Sequence, residues 1–160
     1  MQSRLLSVAM LLVLGLTSPC YAVKHRFIGP DIQCLNARLR GHVVDLTHNH
    51  GADLRVHSNI LGTKRDMYVY LPPNYNSSGS YPLVLYLHSA FFDEHAFIAS
   101  DLLIQLDHLM STGAFPPTVF ACPDGIISGE NTQRAPHSLY LNGDYGRFED
   151  HLLYEVLPFL

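Results

Sequence analysis

Charge is scarce in this sequence. Only 15% of its 160 residues are charged, and ten Lys plus Arg against fourteen Asp plus Glu leave a formal net charge of −4. No basic stripe is present that could follow a phosphate backbone, which excludes nucleic acid as a partner. Internal repeats and low-complexity tracts are also absent, so the polar stretch at residues 74–80 (NYNSSGS) reads as a loop inside a domain rather than a linker. No apolar run reaches the roughly 20 residues that a membrane span requires. What the chain does have is apolar material, at 48% hydrophobic residues, enough for one domain with a sizeable core.

The first residues read as an export signal. Arg4 supplies the positive start, residues 5–16 form the apolar stretch, and Cys20-Tyr21-Ala22 places small residues where a signal peptidase cuts. Cleavage is expected after Ala22, giving an exported protein, periplasmic or extracellular, with no membrane attachment once the segment 1–22 is removed. A lipid anchor at Cys20 is the competing reading, disfavoured by Pro19 beside the cut. Loss of Cys20 would leave Cys34 and Cys122, which could form one disulfide in an oxidising compartment, although Cys122 ends an apolar run where a small buried thiol is the commoner role.

Hydrophobic periodicity gives an α/β order. Residues 41–45 (GHVVD), 53–57 (DLRVH) and 66–70 (DMYVY) alternate as strands and suggest an antiparallel entry to a sheet. The continuous apolar run 83–87 (LVLYL) suits a strand covered on both faces, as in parallel sheets. Ile98, Leu102, Leu106 and Leu109 then recur at helical spacing between Asp93 and Met110, with Gly113 as a stop signal. Residues 118–122 (TVFAC) complete a strand-helix-strand unit expected to cross over right-handedly. Phe148, Leu152, Leu153, Val156 and Leu157 mark one face of a last helix that needs a sheet to cover.

Five segments in this order carry a family resemblance: KRDMYVYLPPNY (64–75), YPLVLYLH (81–88), FACPDG (120–125), SLYLNG (138–143) and RFEDH onward (147–160). The chain resembles the putative-esterase (esterase D-like) family of the α/β-hydrolase superfamily, which includes feruloyl, acetylxylan and enterochelin esterases, formylglutathione hydrolases and mycolyltransferases. The resemblance runs from residue 65 to 160, about the N-terminal half of a family domain; residues 23–64, with two candidate strands, resemble an N-terminal extension of some exported members. The expected fold is therefore an α/β-hydrolase-like sheet, N-terminal half, stopping before the nucleophile elbow.

That family cleaves carboxylic esters with a Ser-His-acid triad and two backbone N–H groups that hold the oxyanion. No Gly-x-Ser-x-Gly occurs in the 160 residues, and the family order Ser, acid, His places all three after Leu160. The resemblance implies one oxyanion donor in the loop after the strand ending at His88, where members usually carry His-Gly and this chain has His88-Ser89-Ala90. Ala90 is the candidate donor through its backbone N–H; the plain alternative is a strand-to-helix turn with Asp93 as a cap. His88 and Ser89 are not a base and nucleophile pair, because adjacent residues leaving a strand point to opposite faces. Asp124, Tyr140 and Asn142 are candidate substrate-wall residues by the same resemblance, and Asp124-Gly125 alternatively just makes a tight turn.

Ten histidines raise a metal question, most of all His48, His50, Asp53 and His57, since His-x-His on a strand would put both rings on one face. No third ligand has a diagnostic spacing, so no metal and no cofactor is expected. Asn76-Ser77-Ser78 is a formal glycosylation sequon that matters only in a eukaryotic secretory pathway.

The resulting expectation is a segment of an exported serine esterase whose full-length relatives act on small-molecule or polysaccharide esters, inactive alone for want of the triad. A non-catalytic module binding carbohydrate or ester through Tyr140, Asn142 and the Pro-Asp-Gly loop is the alternative, and a half that pairs with a separately encoded partner is a third. The apolar strands 83–87 and 119–122 are expected in the middle of a sheet, with no following strand among the 160 residues to pair with its open edge, which invites aggregation.

Overall fold

The computed structural model describes residues 31–90, 92–127 and 137–160. The predicted export signal lies outside these residues, and among them no helix is long and apolar enough to cross a membrane. A short helix α1 (Ile32–Asn36), capped by the Asp31 carboxylate on Gln33 N and Cys34 N, leads into strand β1 (His42–Leu46). A hairpin of β2 (Val56–Ser58) and β3 (Thr63–Arg65) follows, then β4 (Met67–Leu71), β5 (Leu83–Leu85), helices α2 (His95–Ala99) and α3 (Asp101–Ser111), and β6 (Val119–Pro123).

The main sheet has the order β1-β4-β6-β5. β4 runs antiparallel to both β1 and β6, while β5 and β6 are parallel, so the expected antiparallel entry and the strand-helix-strand unit share one sheet. β4 is its spine. Its side chains alternate between two buried faces: Tyr68 and Tyr70 pack with Val43, Phe97, Leu103 and Phe120 under α1, α2 and α3, and Met67 and Val69 pack with Ala121, Leu152 and Val156. Burial on both faces explains why MYVYL carries no charged residue although it pairs antiparallel.

Helix α3 is fastened by a buried acid. Asp107 accepts from Arg40 N, Gly41 N and the Tyr70 hydroxyl, tying the turn before β1 to the helix and to β4. After β6 a two-residue hairpin, β7 (Asn142–Gly143) with β8 (Gly146–Arg147), precedes the last helical segment. This segment begins as α4 (Phe148–His151), widens to a π-helical turn over Leu152–Val156 and closes as α5 (Leu157–Phe159). Glu155, inside the π turn, reaches the β2–β3 hairpin and accepts from Ser58 Oγ, Asn59 N and Ile60 N.

Several expectations need correction. The single helix between Asp93 and Met110 is two, broken at Ser100, whose extended backbone (φ −88°, ψ 152°) starts α3 anew. The run 83–87 forms a strand only over Leu83–Leu85 and is not covered on both faces; β5 is an edge strand with Leu83 and Val84 more than a third exposed. Cys34 is disulfide-bonded while Cys122 is a free buried thiol, so the two are not linked to each other. His48 and His50 lie in the turn after β1, not on a strand, and their rings part: His48 bonds Asp66, His50 bonds Tyr68, and Asp53 binds Arg55 and Lys64. That cluster therefore converges on no common point.

Candidate active site

The parallel strands β5 and β6 set the site, because the turns at their carboxyl ends rise side by side. Past β5 the Tyr86 N–H still donates to Ala121 O at 2.8 Å, which carries the chain alongside β6 as far as His88. Past β6 the Asp124 N–H donates to Asp66 O at 2.9 Å, and the chain turns through Gly125. The two turns meet through a side chain: the Gly125 N–H donates to His88 Nε2 at 3.0 Å.

His88 is completely enclosed, with its side chain 0% exposed. The rings of His137 and Tyr140 stand edge-on to it at 4.9 and 5.5 Å between centroids. Gly125 is required here by close approach, since a Cβ on it would lie 2.7 Å from both His137 Nε2 and Tyr140 Cζ. His88 Nδ1 lies 3.2 Å from Ser89 O, and the Phe92 N–H donates to the same carbonyl at 3.0 Å. Ser89 and Ala90 themselves are exposed, and no described residue accepts the Ala90 N–H.

Below this lies a buried ion pair. Asp124 is engaged on both oxygens, Oδ2 by Arg65 Nη2 at 2.7 Å and Oδ1 by the Ile126 N–H at 2.8 Å. Arg65 Nη2 also donates to Ile126 O at 2.6 Å, and the guanidinium lies 5.2 Å from the Phe148 ring centre. Arg65 Nε and Nη1 have no hydrogen-bond partner among the described residues. A buried pair of this kind gives weak net stability but fixes geometry, because either partner alone would be an unpaired charge in the interior.

The four sequence candidates separate into three environments. Ala90 stands at the open end of the β5 turn. Asp124 and Tyr140 come together beneath it, both buried; Tyr140 donates its hydroxyl to Pro123 O at 3.0 Å, and burial pushes its pKa well above the ordinary phenol range. Asn142 lies apart, on exposed β7, bonded to Asp150. Asp93 acts as the turn cap that was expected as the alternative, its Oδ1 accepting the His95 N–H at 3.0 Å.

A second buried polar group adjoins the β5 turn and was not singled out from sequence. Glu94 accepts from Asn49 Nδ2 at 2.9 Å, and His95 Nδ1 lies 3.4 Å from Glu94 and 3.5 Å from Asp93. Burial opposes charge on His95, but the two carboxylates outweigh it and raise its pKa from 6.5 to about 9. These three side chains offer donors within 4.8 Å of one another. They are consecutive residues whose contacts are accounted for by the ion pairs, so a metal is not needed to explain them. Arg65 was legible only as part of the 64–75 motif, beside Lys64 at the edge of β4. Nothing in the sequence marks His137 as a neighbour of His88, because it lies far beyond β6 along the chain.

No protein-family model and no characterised sequence matches the chain. Solved structures do. A ferulic acid esterase superposes with a TM-score of 0.61 at 20% identity over 76% of this chain and 42% of its own. The feruloyl esterase module from Clostridium thermocellum, complexed with sinapinate, gives 0.53 at 20% identity over 86% of this chain and 41% of its own. The ferulic acid esterase AmCE1/Fae1A from Anaeromyces mucronatus, in complex with ferulic acid, gives 0.50 at 22% identity over 74% and 41%. The chain spans about two fifths of the length of these structures. What it has in common with them is the fold, a mixed α/β sheet with helices packed on it.

Proposed function

We propose that this chain is the oxyanion-side portion of an exported serine esterase acting on small-molecule or polysaccharide carboxylic esters. The observation that carries the reading is the exposed Ala90 N–H at the carboxyl end of a parallel strand pair, in a fold shared with three ferulic acid esterases. In acyl transfer the carbonyl oxygen gains charge as the tetrahedral intermediate forms, and a backbone N–H preset in the loop after this strand stabilises it there. Asp124, Gly125 and Tyr140 form the floor behind that donor. The nucleophile, the acid and the base have no candidates among the 160 residues, so the chain alone is expected to hydrolyse no ester.

The exported location rests on the apolar segment behind Arg4, and the division at residues 22 and 64 on the change from that segment to alternating strands and then to the 64–75 motif. β1, from the predicted extension, supplies an outer strand of the same sheet. The binding-module alternative draws no support from Tyr140, which is buried with its hydroxyl already bonded.

The test is to sequence the coding region through and beyond the codon for Leu160 and express the whole open frame. The expected result is a frame reaching a Gly-x-Ser-x-Gly turn, and an enzyme that hydrolyses methyl ferulate or p-nitrophenyl acetate. Ala90→Pro, which deletes the N–H, should then lower kcat by about 10²–10³-fold with KM little changed. A frame without the motif, or a rate indifferent to Ala90→Pro, overturns the reading.

A further inference from the structure

An oxyanion donor is useful only if its N–H is held in one direction before the reaction begins, since a peptide free to rotate must be reorganised as charge develops. The turn after β5 is short of the usual means of holding it: Ser89 and Ala90 are exposed and belong to no helix or strand. What does fix the Ser89–Ala90 peptide is its carbonyl end. Ser89 O accepts from the Phe92 N–H at 3.0 Å and from His88 Nδ1 at 3.2 Å, so both acceptor directions of this oxygen are occupied. The peptide is planar and trans, so its N–H points opposite to its C=O. The carbonyl is drawn towards an enclosed imidazole, and the Ala90 N–H is thereby turned outward.

The proton arrangement follows from the other ring nitrogen. Gly125 presents an N–H to His88 Nε2 at 3.0 Å, and a backbone N–H can only donate. Nε2 must therefore be the bare nitrogen, which leaves the single proton of a neutral ring on Nδ1, facing Ser89 O. Asp124 does not compete for it: its Oδ1 is 3.7 Å from Nε2, and both its oxygens are engaged by Arg65 and by the Ile126 N–H. The His137 and Tyr140 rings close the remaining sides, so the imidazole has no room to swing away.

We propose that His88 is a positioning residue: the turn after β6, through the Gly125 N–H, selects the Nδ1–H tautomer of His88, and that proton orients the Ser89–Ala90 peptide so that the Ala90 N–H faces the open site. This rests on the oxyanion reading of Ala90 and adds the group that aims the donor. His88 takes no part in proton transfer to a substrate, since both its nitrogens are committed and its side chain is sealed from solvent.

The experiment is nitrogen-15 NMR on the 160-residue chain. Two-bond proton–nitrogen correlations should show His88 as the neutral Nδ1–H tautomer, and a ring carrying its proton on Nε2 overturns the proposal without any variant being made. Next, the Ala90 amide is followed by relaxation in His88→Asn, which keeps a donor near the δ position, and in His88→Gln and His88→Ala, which do not. An order parameter near about 0.85 in the parent chain and the Asn variant, falling below about 0.6 in the Gln and Ala variants, is the expected pattern. An Ala90 order parameter unchanged in His88→Ala overturns it, and if the variants fail to fold the tautomer of the parent chain decides. None of these readouts involves hydrolysis, so an inactive full-length protein strikes the esterase reading alone.

Discussion

The Gly125 N–H donates to His88 Nε2 at 3.0 Å, joining the turn that follows β6 to the turn that follows β5 across 37 residues of sequence. A parallel strand pair offers no hairpin to hold its two carboxyl ends together, so this contact is what makes them one surface. It also explains why residue 125 is glycine. A Cβ there would lie 2.7 Å from His137 Nε2 and from Tyr140 Cζ, and both rings are wedged against His88. Gly125→Ala should cost about 1–3 kcal/mol through overpacking. The measurement is the urea midpoint, and an unchanged midpoint would mean the rings give way freely.

The buried pair Arg65–Asp124 makes a sharper prediction, because the double change should cost less than the loss of the cation alone. Arg65→Met leaves the Asp124 carboxylate, 3% exposed, without its cation and should destabilise by about 3–5 kcal/mol. Adding Asp124→Asn removes the stranded charge while keeping an oxygen for the Ile126 N–H, so the double variant should recover much of the loss. Chemical denaturation of the parent, the two single variants and the double variant gives the coupling. A double variant as unstable as the sum of the singles would show that the charges act independently.

Glu155 tethers the last helical segment to the β2–β3 hairpin through its carboxylate. Burial works to raise its pKa, but hydrogen bonds from Ser58, His151, Ile60 and Asn59 prevail and hold it at about 2, below the ordinary 4.5. A carboxyl group with a depressed folded-state pKa stabilises the fold fully above its unfolded value. Its contribution should therefore be complete above pH 4.5 and disappear as pH falls through about 2. Glu155→Gln should cost about 1–3 kcal/mol near neutrality and flatten that acid limb. Denaturant midpoints across the acid range would show it, and a limb that persists in the variant assigns it to other carboxylates.

How far the sequence disclosed all this depended on whether a signal was local. β4 was legible because Met67, Val69 and Leu71 alternate with Tyr68 and Tyr70 between two proline- and charge-marked ends, and β6 because an apolar run stops at Pro123. The break at Ser100 was hidden, since Ile98 and Leu102 keep helical spacing across it while the backbone does not. The edge position of β5 was also hidden: LVLYL has the composition of a covered strand, and composition cannot say which side has a neighbour. In the candidate site, Ala90 and Asp124 are candidates that motif order supplies. The His88–Gly125 bond, the His137 ring and the Arg65–Asp124 pair did not, because each joins residues at least 37 positions apart whose meeting is decided by the sheet.

β5 carries the last prediction. Its partner on one side is β6, with Val84 opposite Phe120, and along the other side no described strand pairs with it. Val84 is 40% exposed and Leu83 37%, so the edge presents apolar side chains beside unpaired backbone donors and acceptors. Such an edge recruits a strand from a neighbouring molecule, and a lysine on it is the common natural deterrent because pairing would strip the ammonium of water. Val84→Lys should accordingly suppress self-association of the 160-residue chain, while changing its stability by less than about 0.5 kcal/mol if the side chain stays in solvent. Sedimentation velocity at several concentrations reads the first effect and urea denaturation the second. Parent and variant chains that sediment alike as monomers would show that the β5 edge is shielded in solution.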